Sequence, residues 1–391
     1  MHEPPTPGDA CGRYTLPDTH IRLRERVRTL AATRIAPFAA SVDAGGRFPH
    51  EALDALVSAD LHAVHVPRTF GGPGADSLSV ILVVEEIARV CAASALLPGV
   101  NRVGSLPLLL AGSERLKRRY LPQIASGEAM ISFCLSETNA GSDALAMETT
   151  AVRAGDSYVL DGVKRWVING GVSEYYVVMA VTAPRERGRG ISAFLVDRSD
   201  PGVSFRELAP KMGVRGTPTP ELRLDGVRVP ADRMIGAEGT GFATAMATMD
   251  HNRVTAAAQA LGIAQGALDH VKDTLRERRR SGGPGAGQVV RIWLADLAMR
   301  IEAARQLTYA AAARSARAAA DLTFFGAAAK CLASDTAMKV TTDAVQLLGD
   351  EGYSGTHPLE RMMRDAKVIQ IYDGTNQIQR IVMARHVLGR R

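Results

Sequence analysis

The chain changes its hydrophobic rhythm twice. From about residue 20 to 130, apolar positions recur every three to four residues, the spacing of helices with one buried face. Ile21 to Ala40 alternates Arg with Leu, Val and Ala in this way. Asp76-Ser77 supplies capping chemistry ahead of Leu78 to Leu97, whose Val80, Val83, Val84, Ile87 and Val90 fall on one side. Gly112-Ser113-Glu114 opens a further helix through Tyr120, and Pro67 with Gly71-Gly72-Pro73-Gly74 predicts a loop between helices.

Near Met130 the pattern becomes short alternating runs. Tyr158-Val159-Leu160 and Val163 to Ile168 flank Asp161-Gly162, and the run Leu222 to Val229 has Asp225-Gly226 at its centre; each reads as a hairpin. Ile191 to Val196 and Val203 to Leu208 add strands around Asp200-Pro201-Gly202. From Gly241 the helical period returns. Phe242 to about Arg280, Val289 to Ala320 and Thr323 to Leu348 are long, Ala-rich helices, separated by the glycines of 282–287 and ended by Gly349-Asp350-Glu351-Gly352. Long antiparallel helices with one loop each make a bundle. The expected chain is mostly α with a central β-domain: helices over 1–129, a β-domain over 130–238 and a helical bundle over 239–391.

The last helices bracket a polar break. Val368, Ile369 and Ile371 close one, Asp373-Gly374 is a turn signal, and Thr375 is an N-cap for a helix with the stripe Ile378, Ile381, Val382, Leu388. An aspartate between two apolar helices is a carboxylate in a dry place. Asp-Gly is equally the chemistry of a solvated turn.

Bulk properties narrow the classes. The 391 residues are 46% hydrophobic and 23% charged, as in ordinary globular proteins. No apolar run reaches the ~18 residues of a membrane span, and the Pro-rich start lacks the basic and apolar regions of a signal peptide, so a cytoplasmic location is expected. Cys11, Cys91, Cys134 and Cys331 lack metal-site or paired spacing and read as reduced, mostly core thiols. His62 and His65 are not expected to hold a metal. The net charge of +6 permits acidic partners, among them nucleic acid, an acyl carrier protein or the phosphates of coenzyme A, without naming one. No Gly-x-Gly-x-x-Gly unit, Walker loop, Gly-x-Ser-x-Gly elbow or His-Glu-x-x-His is present.

Several stretches resemble the FAD-dependent acyl-CoA dehydrogenase family. Arg364-Asp365-Ala366-Lys367, Ile371 to Thr375 and Gln377 to Arg380 look like its C-terminal signature, in which the position of Asp373 carries the catalytic base, usually glutamate. The order helices, β-domain, bundle is also that of the family, with its small β-barrel and four-helix bundle. The resemblance implies FAD contacts at Phe133, Leu135, Ser136, Gly141 and Ser142 in one loop, and at Trp166 and Ile168 in a strand beside the isoalloxazine. Others are implied at Thr217, Thr375 and Gln377. Ile168 replaces the hydroxyl residue that supports flavin N5. Arg278, Gln288, Gln346 and Gly349 resemble contacts to a neighbouring subunit's FAD, which implies a homotetramer or homodimer. Ser142, Asp250, Arg253, Tyr372 and Gly374 match substrate-side positions. Asn252 stands where some members carry their base, and an amide cannot serve as one.

The implied reaction is α,β-dehydrogenation of an acyl thioester on coenzyme A or a carrier protein. Asp373 takes the α-proton, flavin N5 the β-hydride, and the Asp373 backbone N–H with a ribityl hydroxyl holds the thioester oxygen. Electron-transfer flavoprotein or oxygen would reoxidise the flavin. An oxidase of the nitroalkane-oxidase type and oxidation of an α-hydroxy or α-amino carrier-bound unit are alternatives; a flavoprotein on nucleic acid is the least favoured.

Overall fold

The computed structural model describes residues 16–281 and 286–389. Six helices precede the sheet: α1 Asp18–Leu30, α2 Ala39–Gly45, α3 His50–Ser58, α4 Ser77–Ala88, α5 Ala92–Ala111 and α6 Glu114–Ser126. The long helix expected from residue 21 to 40 is α1 followed by a π-turn at Ala31–Ile35 and a tighter turn over Ala36–Phe38, where Pro37 offers no N–H to an α-ladder. The run from Leu78 to Leu97 is two helices. Asp76 caps α4 as expected, accepting from Ser79 N–H, but the chain breaks at Arg89–Cys91. No local breaker explains the break; distant side chains bond around it. Arg361 donates to the Val90 carbonyl within the break, and Gln259 to the Ala92 carbonyl at the start of α5. Ser113 caps α6 by accepting from Leu116 N–H.

The sheet has eight strands: β1 Ile131–Cys134, β2 Thr150–Ala154, β3 Ser157–Lys164, β4 Tyr175–Val181, β5 Ile191–Asp197, β6 Val203–Arg206, β7 Glu221–Pro230 and β8 Met234–Ile235. The order is β6-β7-β3-β2-β4-β5-β8, with β1 parallel to β4. Neither expected Asp-Gly hairpin exists. Asp161-Gly162 and Asp225-Gly226 lie inside β3 and β7, facing each other where the register shifts between Leu160 and Gly162. Asp161 accepts the Gly226 N–H at 2.7 Å, so the two Asp-Gly pairs form a bulge that bends one antiparallel pair. The tight reversal is Gly155-Asp156, between partners Ala154 and Ser157. β3 also stops at Lys164, before Trp166.

Three long helices follow: α7 Gly241–Arg280, α8 Gln288–Ala316 and α9 Leu322–Leu348. The short α10 Asp350–Tyr353, then α11 Pro358–Ile369 and α12 Asn376–Val387 complete the chain. The expected glycine break lies at 282–287, and its residues 282–285 fall outside the described residues. One apolar core joins α1, α4 and α5 to α7, α8, α9 and α11. β4 explains the unbroken apolar run Tyr175–Val181: Tyr175, Val177 and Met179 face a cluster with α5 and α6, while Tyr176, Val178 and Ala180 face a second one.

The apolar stripe expected on α12 is not its buried side. Asn376 and Gln379 are buried, while Ile381 and Leu388 are 47% and 69% exposed. Gln379 turns inward to bond the turn before the helix, and Asn376 to bond Lys330, Ser334 and Asp335 of α9. Among the described residues no helix is long and apolar enough to cross a membrane, and no cluster of metal-ligating groups occurs. His62 and His65 bond the Ile124 carbonyl and Ser105 Oγ. Cys91, Cys134 and Cys331 are free and buried; Cys11 lies outside the described residues.

Candidate active site

The site grows from the turn between α11 and α12. Asp373 takes a left-handed backbone, φ 53°, and Gly374 follows at φ 84°. A Cβ on Gly374 would stand 2.7 Å from Gln379 Nε2, which donates to the carbonyls of both Asp373 and Gly374. Thr375 caps α12 as the sequence predicts, accepting from Ile378 N–H at 3.2 Å. Lys330, from α9, donates to the Gly374 carbonyl at 2.7 Å and to Asn376 Oδ1 at 3.0 Å.

Asp373 is a half-buried residue on this turn. Asn252 Nδ2, from α7, donates to its Oδ2 at 2.8 Å. Surrounding protein lifts the Asp373 pKa to about 6, against the lowering pull of Lys330, Arg253 and the Asn252 hydrogen bond. Its backbone N–H, with those of Gly374 and Thr375, makes no hydrogen bond among the described residues. One turn therefore presents a carboxylate that titrates near pH 6 and unspent N–H donors.

The other substrate-side positions are tied into the scaffold. Arg253 is buried and pairs with Asp250, whose second oxygen accepts from Thr323 at 2.6 Å. Tyr372 directs its hydroxyl to Gln259 Oε1, and burial pushes its pKa well up. Ser142 is exposed on the loop after β1.

That loop is held from inside. Glu137 accepts Lys164 Nζ at 2.6 Å and the backbone N–H groups of Glu148 and Thr149. These bonds and the lysine charge hold the Glu137 carboxyl below its usual range although burial opposes them. Phe133 and Leu135 pack partly against the cluster beneath the sheet, and the Ser136 carbonyl accepts from Arg165 N–H. Beyond the Glu137–Ala140 turn, Thr138, Asn139, Gly141 and Ser142 keep their N–H groups free of described partners. Trp166 leaves the strand at φ 60° and stands 50% exposed, with Arg165 5.4 Å from its ring centre. The expected strand position is thus a projecting aromatic at a strand end. Ile168 packs against the main core and its carbonyl accepts from Ser132.

Thr217 is turned away from any open surface. It is 2% exposed and its hydroxyl faces the Ala93 carbonyl at 3.4 Å. Gln377 is exposed, while Gln379 is the glutamine that reaches the turn. Arg278 lies at the far end of α7, bonding Glu351 at 2.7 Å and the Leu348 carbonyl beside a surface cavity of about 680 Å³. Gln346 and Gly349 are exposed on either side of Leu348, whose carbonyl Arg278 bonds, and Gln288 is exposed at the start of α8. At 1.5 Å rise per residue, Arg278 is about 39 Å along α7 from Asn252.

Two contributors were not legible as such. Asn252, unable to act as a base, holds the carboxylate. Lys330 supports the turn; its one sequence signal is a lone charge within the apolar run Ala327 to Leu332.

The acyl-CoA dehydrogenase N-terminal, middle and C-terminal domain models match residues 17–128, 132–227 and 239–388. The chain belongs to the acyl-CoA dehydrogenase family. It is 52% identical over 376 residues to the probable acyl-CoA dehydrogenase FadE25 of Mycobacterium tuberculosis, covering 96% of this chain and 97% of that one. The butyryl-CoA dehydrogenase structure from Megasphaera elsdenii superposes with TM-score 0.92 at 37% identity, over 96% of this chain and 99% of the other. The prolyl acyl carrier protein oxidase AnaB superposes with TM-score 0.88 at 27% identity, over 95% and 100%.

As a member of this family the chain is an FAD-dependent oxidoreductase. The residues present fit that cofactor: an exposed tryptophan face, a loop of unspent N–H donors and an apolar wall at Ile168 suit a planar ring with a polar edge. When bound, FAD supplies a two-electron acceptor.

Proposed function

We propose that the protein dehydrogenates an acyl-CoA thioester between Cα and Cβ, with Asp373 as the base. The observation that carries the reading is the turn itself, where a carboxylate of pKa about 6 and a free backbone N–H belong to the same residue. The N–H of Asp373 donates to the thioester oxygen and so acidifies the α-proton that the carboxylate removes. Asn252 occupies Oδ2, leaving Oδ1 to take the proton. Ser142, Asp250, Arg253, Tyr372 and Gly374 line the acyl-pantetheine path. The loop from Phe133 to Ser142, Trp166, Ile168, Thr375 and Gln377 hold the cofactor of the same subunit.

Arg278, Gln288, Gln346 and Gly349 serve a second subunit's cofactor. The about 39 Å between Arg278 and Asn252 exceeds what one dinucleotide bridges, so on one chain these ends address different flavins. A homotetramer or homodimer follows, with electron-transfer flavoprotein as the electron acceptor.

A carrier-bound substrate with oxygen as acceptor is the second reading. It is favoured by the short aspartate base, by Ile168 where no hydroxyl stands, and by the likeness to a prolyl carrier-protein oxidase. Anaerobic mixing of the holoenzyme with acyl-CoA and acyl-carrier-protein thioesters separates the two. Flavin bleaching by simple acyl-CoAs supports the first reading; bleaching by carrier-bound units alone sinks it.

A further inference from the structure

Lys330 is wholly buried, at 0% exposure, in the middle of α9. A buried ammonium ordinarily takes a carboxylate partner, yet among the described residues none lies within ion-pair distance of this one. Its donors go instead to the Gly374 carbonyl and Asn376 Oδ1. Asn376 is itself fixed by Ser334 and Asp335, and Asp335 is paired with Arg380. Two side chains thus clamp the Gly374 carbonyl, Lys330 from α9 and Gln379 from α12, and with it the left-handed backbone of Asp373.

We propose that Lys330 is a positioning residue for the base: it fixes the Asp373 turn through Gly374, and its buried charge keeps the Asp373 carboxylate ionised at neutral pH. This rests on the reading of Asp373 as the base. Around the carboxylate stand Lys330 from α9, Arg253 with its partner Asp250 and neutral Asn252 from α7, and Tyr372 beside it. Around the ammonium stand Asp373, Arg253, Cys331 and Asp335, the last largely neutralised by Arg380. Among the described residues Lys330 is therefore the one cation facing Asp373 that has no carboxylate of its own, whereas Arg253 already spends its charge on Asp250. Burial lowers the Lys330 pKa to about 8, so the ammonium is present through the range in which Asp373 titrates.

The test uses the FAD-loaded enzyme and infrared spectroscopy of the protonated carboxyl stretch, assigned by its absence in Asp373→Asn. The wild-type band should titrate near pH 6. In Lys330→Gln, and in Lys330→Met as a second neutral replacement, the midpoint should rise by about one unit or more, and Lys330→Arg should bring it back. Flavin reduction by butyryl-CoA should fall about three-fold or more at pH 6.5 in Lys330→Gln and recover by pH 8.5, which a purely structural defect would not do. An unmoved midpoint in a neutral variant that retains FAD overturns the proposal. The base reading fails separately, if Asp373→Asn reduces its flavin with butyryl-CoA at a near-normal rate while the Lys330 shift persists.

Discussion

Asp365 and Asp373 bracket one short stretch of chain, the first within α11 and the second just past its end, and burial raises both to a pKa of about 6. Their surroundings differ. Asp365 is 3% exposed and accepts the backbone N–H of Val214. Beside it Arg364 grips Asp43, Glu360 and the Met212 carbonyl. These bonds fasten the 211–217 loop, and through it the sheet, to α11. Asp373 accepts from one side chain, is half-buried as a residue and carries an unspent N–H. A perturbed pKa therefore identifies a carboxylate in a dry place and no more; unspent hydrogen-bonding capacity distinguishes a reacting group from a brace.

The largest effect should separate these two carboxylates. Asp373→Asn should keep FAD and slow flavin reduction by its thioester at least ~100-fold. Asp365→Ala leaves the buried Val214 N–H without an acceptor and should cost about 1–3 kcal/mol of stability. Its reduction rate per FAD-loaded molecule should stay within a few-fold of wild type. Stopped-flow reduction and denaturant midpoints on both variants check this, and equal rate losses would erase the distinction.

Stability against pH gives the next contrast. A carboxyl whose folded pKa is raised contributes its stability below the unfolded value near 3.8, and that contribution is lost as pH rises through about 6. Asp373→Asn removes the group, so its melting temperature relative to wild type should rise between pH 4 and pH 7. A constant difference over that range would mean that Asp373 does not titrate where its burial places it. Over the same range the wild-type reduction rate should climb and level off above about pH 6.

A smaller effect sharpens the role of Asn252. Asn252→Leu keeps similar volume but removes the N–H held by Asp373 Oδ2, a bond to a charged group worth roughly 1.5–3 kcal/mol. The carboxyl should titrate higher and reduction near pH 6.5 should fall about ten-fold, with FAD retained. A change at high pH as large as that at low pH would assign Asn252 to the fold rather than to the charge.

Much of this was legible along the chain, for reasons that differ by element. The long helices and the Thr375 and Asp76 caps follow from local periodicity and cap chemistry, which act over a few residues. The Asp-Gly pairs in β3 and β7 misled because the same backbone freedom serves a reversal or a bulge, and the opposing strand decides which. The break before α5 is flanked by hydrogen bonds from Arg361 and Gln259, both remote in sequence. At the site, Asp373 was visible from its motif. Lys330 and Asn252 act on it across the bundle from α9 and α7, and no local pattern connects residues 330, 252 and 373.

The smallest expected effect concerns Ile168. On the proposed cofactor placement, an alkane at residue 168 stands where the family resemblance implies a hydroxyl donor, so the side chain cannot supply the hydrogen bond expected at N5. The structure offers a substitute in the same residue. The Ile168 N–H makes no hydrogen bond among the described residues, although Val167 and Asn169 on either side bond the Pro220 and Pro218 carbonyls. The Ile168 carbonyl is held by Ser132 at 2.7 Å, which fixes the peptide plane behind it. If the side chain alone mattered, Ile168→Thr would restore one hydrogen bond, ~1 kcal/mol, and shift the flavin reduction potential or reoxidation rate accordingly. If the backbone N–H already serves, both should stay within error, and the threonine would only loosen a side chain packed against the main core. The half-buried turn at Asp373 and the sealed joint at Asp365 would then be matched at the flavin side, where an unspent backbone donor stands in for a missing side chain. Potentiometry and oxygen-dependent reoxidation of Ile168→Thr distinguish these outcomes directly.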